Sequence, residues 1–291
     1  MMSRRVTFAV GSGALSLAMA LSVSSCSTLE FERVGMGVGT YTTTWTVGSC
    51  HRLDQLIETD AVYDSDTSPA VSCASSHESE TFAVEPITGA AARQAERPTP
   101  EWLQSALSGD CSTKMLATFL GQQATDSLDD ISVLRIVPSE SEWRAGVRKV
   151  RCDALIGPRT TQAIASITRS MRGIIATAAG NRFRTCRLGD VELSCDGLHT
   201  MELVDPPVKF TDAELAKGHE YVLKKVTKAC DAEVAAYVGA SLDDRPDLML
   251  YPDLPGEYPH TDSKVGECWV GLASGLSTTG SVRRTGTGRL S

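Results

Sequence analysis

Eight cysteines fall into two sets of four with the same internal order, Cys50, Cys73, Cys111, Cys152 and Cys186, Cys195, Cys230, Cys268. In each set the second cysteine is followed four residues later by a histidine, and three residues after that by a glutamate. These are Cys73, His77, Glu80 and Cys195, His199, Glu202. An internal repeat must be recognised first, because it sets the architecture. The pattern predicts two tandem copies of one unit, each held by its own cross-links. Even numbers of cysteines in an exported chain read as disulfides. No Cys-x-x-Cys occurs, so zinc ribbons and thioredoxin-like redox sites find no support.

A ninth cysteine marks export. Arg4 and Arg5 precede an uncharged run from Val6 to Val23, and Ser24-Ser25-Cys26 follows. A basic start, an apolar run and small residues before a cut site form an export signal. A cysteine directly after the small residues resembles a bacterial lipoprotein signal. That resemblance implies cleavage after residue 25 and a lipid on Cys26. Residues 1–25 are thus expected to be the signal and 26–39 a tether. Each buried acyl CH₂ contributes about 0.8 kcal/mol, so more than one chain holds a protein stably on a membrane. The expected location is the extracytoplasmic face of the cell membrane. The Gly35, Gly37, Gly39 run lacks the preceding strand and following helix of a dinucleotide loop, and reads as spacer.

The formal net charge is −8. Loss of Arg4 and Arg5 would make the remainder more acidic. This excludes nucleic acid as a partner and argues against adhesion to anionic lipid by charge alone. Aromatic residues are 5% of the chain, few for a large core, so covalent staples help to hold it.

The units are predicted over 40–173 and 174–291, with a turn near Gly173 to Arg182. Thr99-Pro100 and the capping box Thr211–Glu214 start helices, and Gly121 and Gly239 end them. Leu215, Val222, Val226, Cys230, Val234 and Tyr237 recur at helical spacing. The first helix is expected to break near Ser108-Gly109-Asp110. Strands are expected into Cys152 and Cys268, with trailing strands near 161–172 and 277–284. The fold class is therefore α+β: two disulfide-stapled repeats, each an antiparallel sheet packed on one main helix. Within each repeat, first-with-second and third-with-fourth pairing is favoured. The most local argument is Leu188-Gly189-Asp190, a turn that sets Cys186 and Cys195 opposite each other.

The first set resembles the septum-formation domain of actinobacteria, through Cys50, Cys73, His77, Glu80, Cys111, Trp143, Gly146, Arg148, Cys152, Ser170 and Gly173. The second departs from it, with Pro259 where Trp143 would stand and Asp262 where Gly146 would. The resemblance implies an envelope protein linked to division septa and no established catalytic role.

His77, Glu80, His199 and Glu202 are the candidate structural or binding residues. A histidine beside a disulfide can bond backbone carbonyls or the following glutamate. A metal there would need a thiolate, which a disulfide removes. His219 is expected on the packed helix stripe, His51 and His260 in exposed loops, and the four tryptophans in the core. No Gly-x-Ser-x-Gly, phosphate loop or His-Glu-x-x-His occurs. No catalytic residue, metal site or cofactor is therefore expected. The leading expectation is a non-enzymatic lipoprotein that binds an envelope or cell-wall protein. Alternatives are a small-ligand or metal-binding lipoprotein using a cleft between the repeats, and an envelope hydrolase.

Overall fold

The computed structural model describes residues 45–53, 62–63, 65–66, 68–107, 109, 111–128, 130–157, 165–256, 264–273 and 275–288. The leader, Cys26, the tether, His260, Pro259 and Asp262 lie outside the described residues. In chain order the first half comprises β1 (Cys50–His51), β2 (Val62–Tyr63), β3 (Ser79–Pro86), α1 (Gly89–Ala92), α2 (Pro100–Ala106), α3 (Thr113–Leu120), β4 (Ile131–Ile136), α4 (Glu140–Arg144) and β5 (Lys149–Ile156). Two 3-10 turns, Ile174–Ala176 and Ala178–Phe183, lead into the second half. That half has β6 (Thr185–Leu188), β7 (Val191–Ser194), β8 (Met201–Lys209), α5 (Asp212–Leu215), α6 (His219–Val238), β9 (Leu248–Asp253) and β10 (Val265–Leu272).

The two sheets share one plan. The first runs β1-β3-β5-β4-β2 and the second β7-β6-β8-β10-β9. The common four-strand block is β1-β3-β5-β4 in one and β6-β8-β10-β9 in the other, antiparallel throughout. Each half adds one strand at an opposite edge. The added β2 is the exception in direction, parallel to β4. Both halves belong to one compact unit, Tyr41–Ser291.

Disulfides tie the helical layer to each sheet. Cys111–Cys152 and Cys230–Cys268 connect it to the central strands, and Cys50–Cys73 and Cys186–Cys195 close the first-strand loops. In the second half Val222, Val226, Cys230, Val234 and Tyr237 of α6 are buried against the sheet. Steps of three and four residues keep them on one helix face. Each such aliphatic side chain contributes about 1.5–3 kcal/mol.

Several local expectations need correction. The first helix does break between α2 and α3, and Cys111, with φ 57°, stands in that break. Its amide donates to Glu85 Oε2 at 2.7 Å, and Ser112 then caps a fresh helix by accepting from Met115 N. The second helix is also interrupted. The capping box forms, but α5 stops after one turn and Gly218, at φ 89°, precedes α6. His219 is therefore exposed at the start of α6, off its buried stripe. Trp102 is exposed, whereas Trp143 and Trp269 are buried. Trp143 lies in α4, ahead of β5, and Arg148 stacks on its ring at 3.7 Å. Residues 161–164 lie outside the described residues; among the described residues of the two expected trailing strands, single bridges join His77 to Ile167 and His199 to Thr278.

The turns after those bridges repeat closely. Gly173 N donates to Phe119 O, and Arg284 N to Tyr237 O. Gly173 has φ 68° and Arg284 φ 56°. Left-handed backbone costs a side-chain-bearing residue about 1–2 kcal/mol, and glycine nothing. Arg284 also donates to Gln123 Oε1 at 3.0 Å on the surface. Arg284→Gly should therefore raise stability by about 0.5–1 kcal/mol, read as a higher urea midpoint at unchanged slope.

The loop after α6 closes on itself. Arg245 is buried and donates to Asp247, Thr285 Oγ1 and Gly286 O. The matching loop after α3 instead leans on the other half, through the bridges Asp126–Val204 and Leu128–Arg184.

Candidate functional site

The recurring histidines and glutamates build the same latch twice. His77 Nδ1 lies 2.8 Å from Ser75 O, and His199 Nδ1 lies 2.8 Å from Gly197 O. A carbonyl only accepts, so Nδ1 carries the proton in both rings. Glu80 accepts from Ser170 Oγ at 2.7 Å and from Met171 N. Glu202 accepts from Ser281 Oγ at 2.8 Å and Val282 N at 2.7 Å. Each glutamate thus fastens the segment that follows the sheet. Hydrogen bonds to a charged group contribute roughly 1.5–3 kcal/mol each.

The second latch has an extra donor, Tyr237 Oη, at 2.7 Å from Glu202 Oε2. Burial alone would raise the Glu202 carboxyl. The neighbouring His199 ring and the donors Tyr237, Val282 and Ser281 outweigh it and hold the pKa below its usual value. Burial and the adjacent carboxylate push the Tyr237 hydroxyl well up. His199 Nε2 faces Glu202 Oε1 at 3.5 Å. Burial opposes charge on that ring, but Glu202 and the Gly197 carbonyl prevail and raise its pKa. His77 Nε2 is buried with no hydrogen-bond partner among the described residues.

The opposite faces of the sheets differ. On the first, Ser49, Thr81, Asp153, Arg151, Asp66 and His51 close a ring. Ser49 Oγ lies 2.9 Å from His51 Nε2 and 3.1 Å from Thr81 Oγ1. Thr81 donates to Asp153 at 2.8 Å. Arg151 donates to Asp153 at 2.9–3.0 Å and to Asp66 at 2.6 Å. Asp66 Oδ2 stands 3.5 Å from His51 Nδ1. Burial would raise the Asp66 carboxyl, but Ser68 and Arg151 hold it below the usual range. His51 is fully buried on β1, not in an exposed loop. The signal was present in the sequence: Arg151 and Asp153 flank Cys152, so strand alternation puts both on the face away from the disulfide.

Ser49, His51 and Asp66 are ordered like a nucleophile, a base and an orienting acid. The surroundings use the groups otherwise. The Ser49 hydroxyl also reaches Thr46 O at 2.7 Å. The amides of Gly48 and Ser49 donate to Thr81 O and Thr46 O. The ring is a buried polar network that joins β1, β3 and β5 to Asp66 and Ser68, and within it His51 Nδ1 and Arg151 Nη1 make no hydrogen bond among the described residues.

Burial, and then Arg151, lower the His51 pKa from its ordinary 6.5. The unfolded chain then takes up the proton first as pH falls. Stability due to His51 is therefore full above pH 6.5 and declines below it. His199 acts oppositely: its pKa is raised, so its contribution is full below 6.5 and fades as pH rises through the folded value. The His51→Gln variant should flatten the acid-side slope of stability against pH. Parallel urea titrations of both proteins between about pH 5 and 7 isolate this residue.

In the second half the corresponding face carries Arg187, stacked on Trp269 at 3.9 Å and paired with Asp253 at 2.8 Å. The latches are common to both halves and serve folding; the outer faces are where the halves diverge. Between the halves, Arg283 makes a two-pronged ion pair with Asp126, with Nη2 to Oδ2 at 2.7 Å. Arg172, its counterpart in the first half, lies over the Phe119 ring instead. A depression of about 300 Å³ opens between the 166–182 segment and Asp196 and carries Arg169 and Arg182.

Mixed helix–sheet halves stapled by buried disulfides, with a repeated His–Glu latch, define a small cross-linked class of α+β proteins. A septum-formation family model matches residues 47–257, and the chain belongs to that family. The match is one stretch running across both halves, where each half had been expected to be a copy of the family domain. No curated protein and no solved structure matches. Family membership suggests a cell-envelope location, and among the described residues no helix is long and apolar enough to cross a membrane.

Proposed function

We propose that the protein is a lipid-anchored envelope component that works without catalysis, by binding a protein partner during septum formation. The family supports the septal setting. The observation that supports partner binding is the β6–β7 hairpin. β7 is an edge of the second sheet, and the hairpin tip exposes Leu188 at 40% and Val191 at 65%. Leu198, just beyond β7, is 51% exposed. An exposed edge strand with apolar side chains beside it is a template for another chain, and the charge on β7, Glu192, is paired with Arg187.

The test is capture from cross-linked cells by the full chain and by Leu188→Lys/Val191→Lys. The wild type should enrich one envelope protein specifically, and the variant should lose it at unchanged melting temperature. Equal capture by both, or no specific enrichment by the wild type, counts against the reading. The anchor is tested separately: Cys26→Ser should move the protein from the membrane to the soluble fraction. A small-ligand role has the Arg169–Arg182 depression in its favour. Native mass spectrometry showing a bound anionic species would support it.

A further inference from the structure

One cluster in the first half, the latch with its disulfide, carries a donor set that its folding role does not exhaust, and it lies apart from the proposed docking edge. The Sγ atoms of Cys50 and Cys73, a ring nitrogen of His77 and a carboxylate oxygen of Glu80 all lie within 4.8 Å of one another. His77 is fully buried, its Nδ1 proton goes to Ser75 O, and the lone-pair nitrogen Nε2 meets no donor. A buried acceptor without a donor is costly and unusual. Glu80 accepts two hydrogen bonds, which leaves lone pairs on its two oxygens. Two sulfurs, one imidazole and one carboxylate are the donor set of a four-coordinate zinc-type ion.

The sulfurs are joined in a disulfide, so the site must first be opened. Burial selects this bond. Of the eight paired cysteines seven are buried, and Cys73 alone is half-buried. Partial exposure makes Cys73 the end that a thiolate from solution meets most readily, whereas the other three disulfides are buried at both ends. The second half has the equivalent Cys186, Cys195, His199 and Glu202. There both cysteines are buried, and Glu202 takes a third donor from Tyr237. The other sulfur cluster, Glu85 with Cys111 and Cys152, offers three ligands and a fully enclosed disulfide.

We propose that opening of Cys50–Cys73 by a dithiol converts Cys50, Cys73, His77 and Glu80 into a binding site for one zinc-type divalent ion. The dithiol attacks Cys73 Sγ and expels the Cys50 thiolate. Its second sulfur then displaces Cys73 and leaves as the reagent's own disulfide. The reagent loses two electrons and the protein gains two. The ion then takes both sulfurs as thiolates, and the two thiol protons pass to water. The sulfurs must part to about 3.8 Å, the edge of a tetrahedron with metal–sulfur bonds of about 2.3 Å. The disulfide thus works as a gate: oxidised it closes the site, reduced it opens it. This inference is independent of the partner-binding reading.

The experiment uses the full chain and Co²⁺ as probe. Graded dithiothreitol, alkylation and peptide mapping should show Cys50 and Cys73 freed first. After the reagent is removed anaerobically, Co²⁺ should bind one to one, with thiolate-to-cobalt charge-transfer bands and tetrahedral visible bands. Zn²⁺ should displace it, and either ion should protect both thiols from alkylation. His77→Gln, if its near-UV circular dichroism stays native, should bind Co²⁺ more than about tenfold more weakly. If that variant does not fold, the wild-type protection assay decides. Earlier opening of another disulfide, an octahedral cobalt spectrum, unprotected thiols, or unchanged affinity in a folded His77→Gln would overturn the proposal.

Discussion

Asp126→Ala should lower the unfolding free energy by about 3–5 kcal/mol. Asp126 is fully buried and the Arg283 side chain is 5% exposed. Each guanidinium prong has an oxygen facing it, and the second oxygen also accepts from Gln123 N at 2.8 Å. Removing the carboxylate strands a charged guanidinium away from water. That residual charge, rather than the lost attraction, sets the size of the effect. A cycle with Asp126→Ala, Arg283→Ala and the double variant separates the two. The double variant should be less damaged than the sum of the singles, with a coupling of at least about 1 kcal/mol. Asp243→Ala, at an exposed site, should stay within about 0.5 kcal/mol of wild type. Because the pair joins the halves, urea unfolding of Asp126→Ala should also broaden, as the halves begin to unfold separately. A sharp transition at the wild-type midpoint would refute this account of the junction.

Cys111→Ser should cost about 4 kcal/mol. The bond closes a loop with sequence separation 41, and the chain-entropy model gives roughly that value for such a span. The same model gives about 2.5 kcal/mol for Cys186–Cys195, with separation 9. Cys111→Ser should therefore lower the denaturant midpoint more than Cys186→Ser does. The freed Cys152 is fully buried on β5, so it should label with a thiol reagent only as fast as the half opens. Rapid labelling under native conditions, or the reverse order of midpoints, would contradict the packing described.

The pattern of the cysteines made the fold class legible, because strand alternation and helix periodicity leave few ways to bring four sulfurs together in each unit. Glu80 and Glu202 were also legible as a repeated element. What each carboxylate holds was not, since Ser170 and Ser281 lie some 80–90 residues away in sequence. The helix breaks were partly hidden. Gly218 stands inside a run whose apolar spacing carries on past it, and periodicity alone does not register a positive φ. The polar ring was missed for a different reason. His51, Arg151 and Asp153 are residue types that usually face water, and burial of all three depends on Asp66 arriving from another segment to neutralise Arg151. The docking of the halves was invisible too: Asp126 and Arg283 are 157 residues apart, and Arg172 offered an equally good match by sequence.

Arg245 makes the two matching loops unequal as surfaces. The loop after α3 leans on the other half, through Asp126 and Leu128. The loop after α6 is spoken for within its own half, since Arg245 ties it to Thr285 and Gly286. Loss of that tie would free backbone that a second copy of the molecule could grip in the same manner.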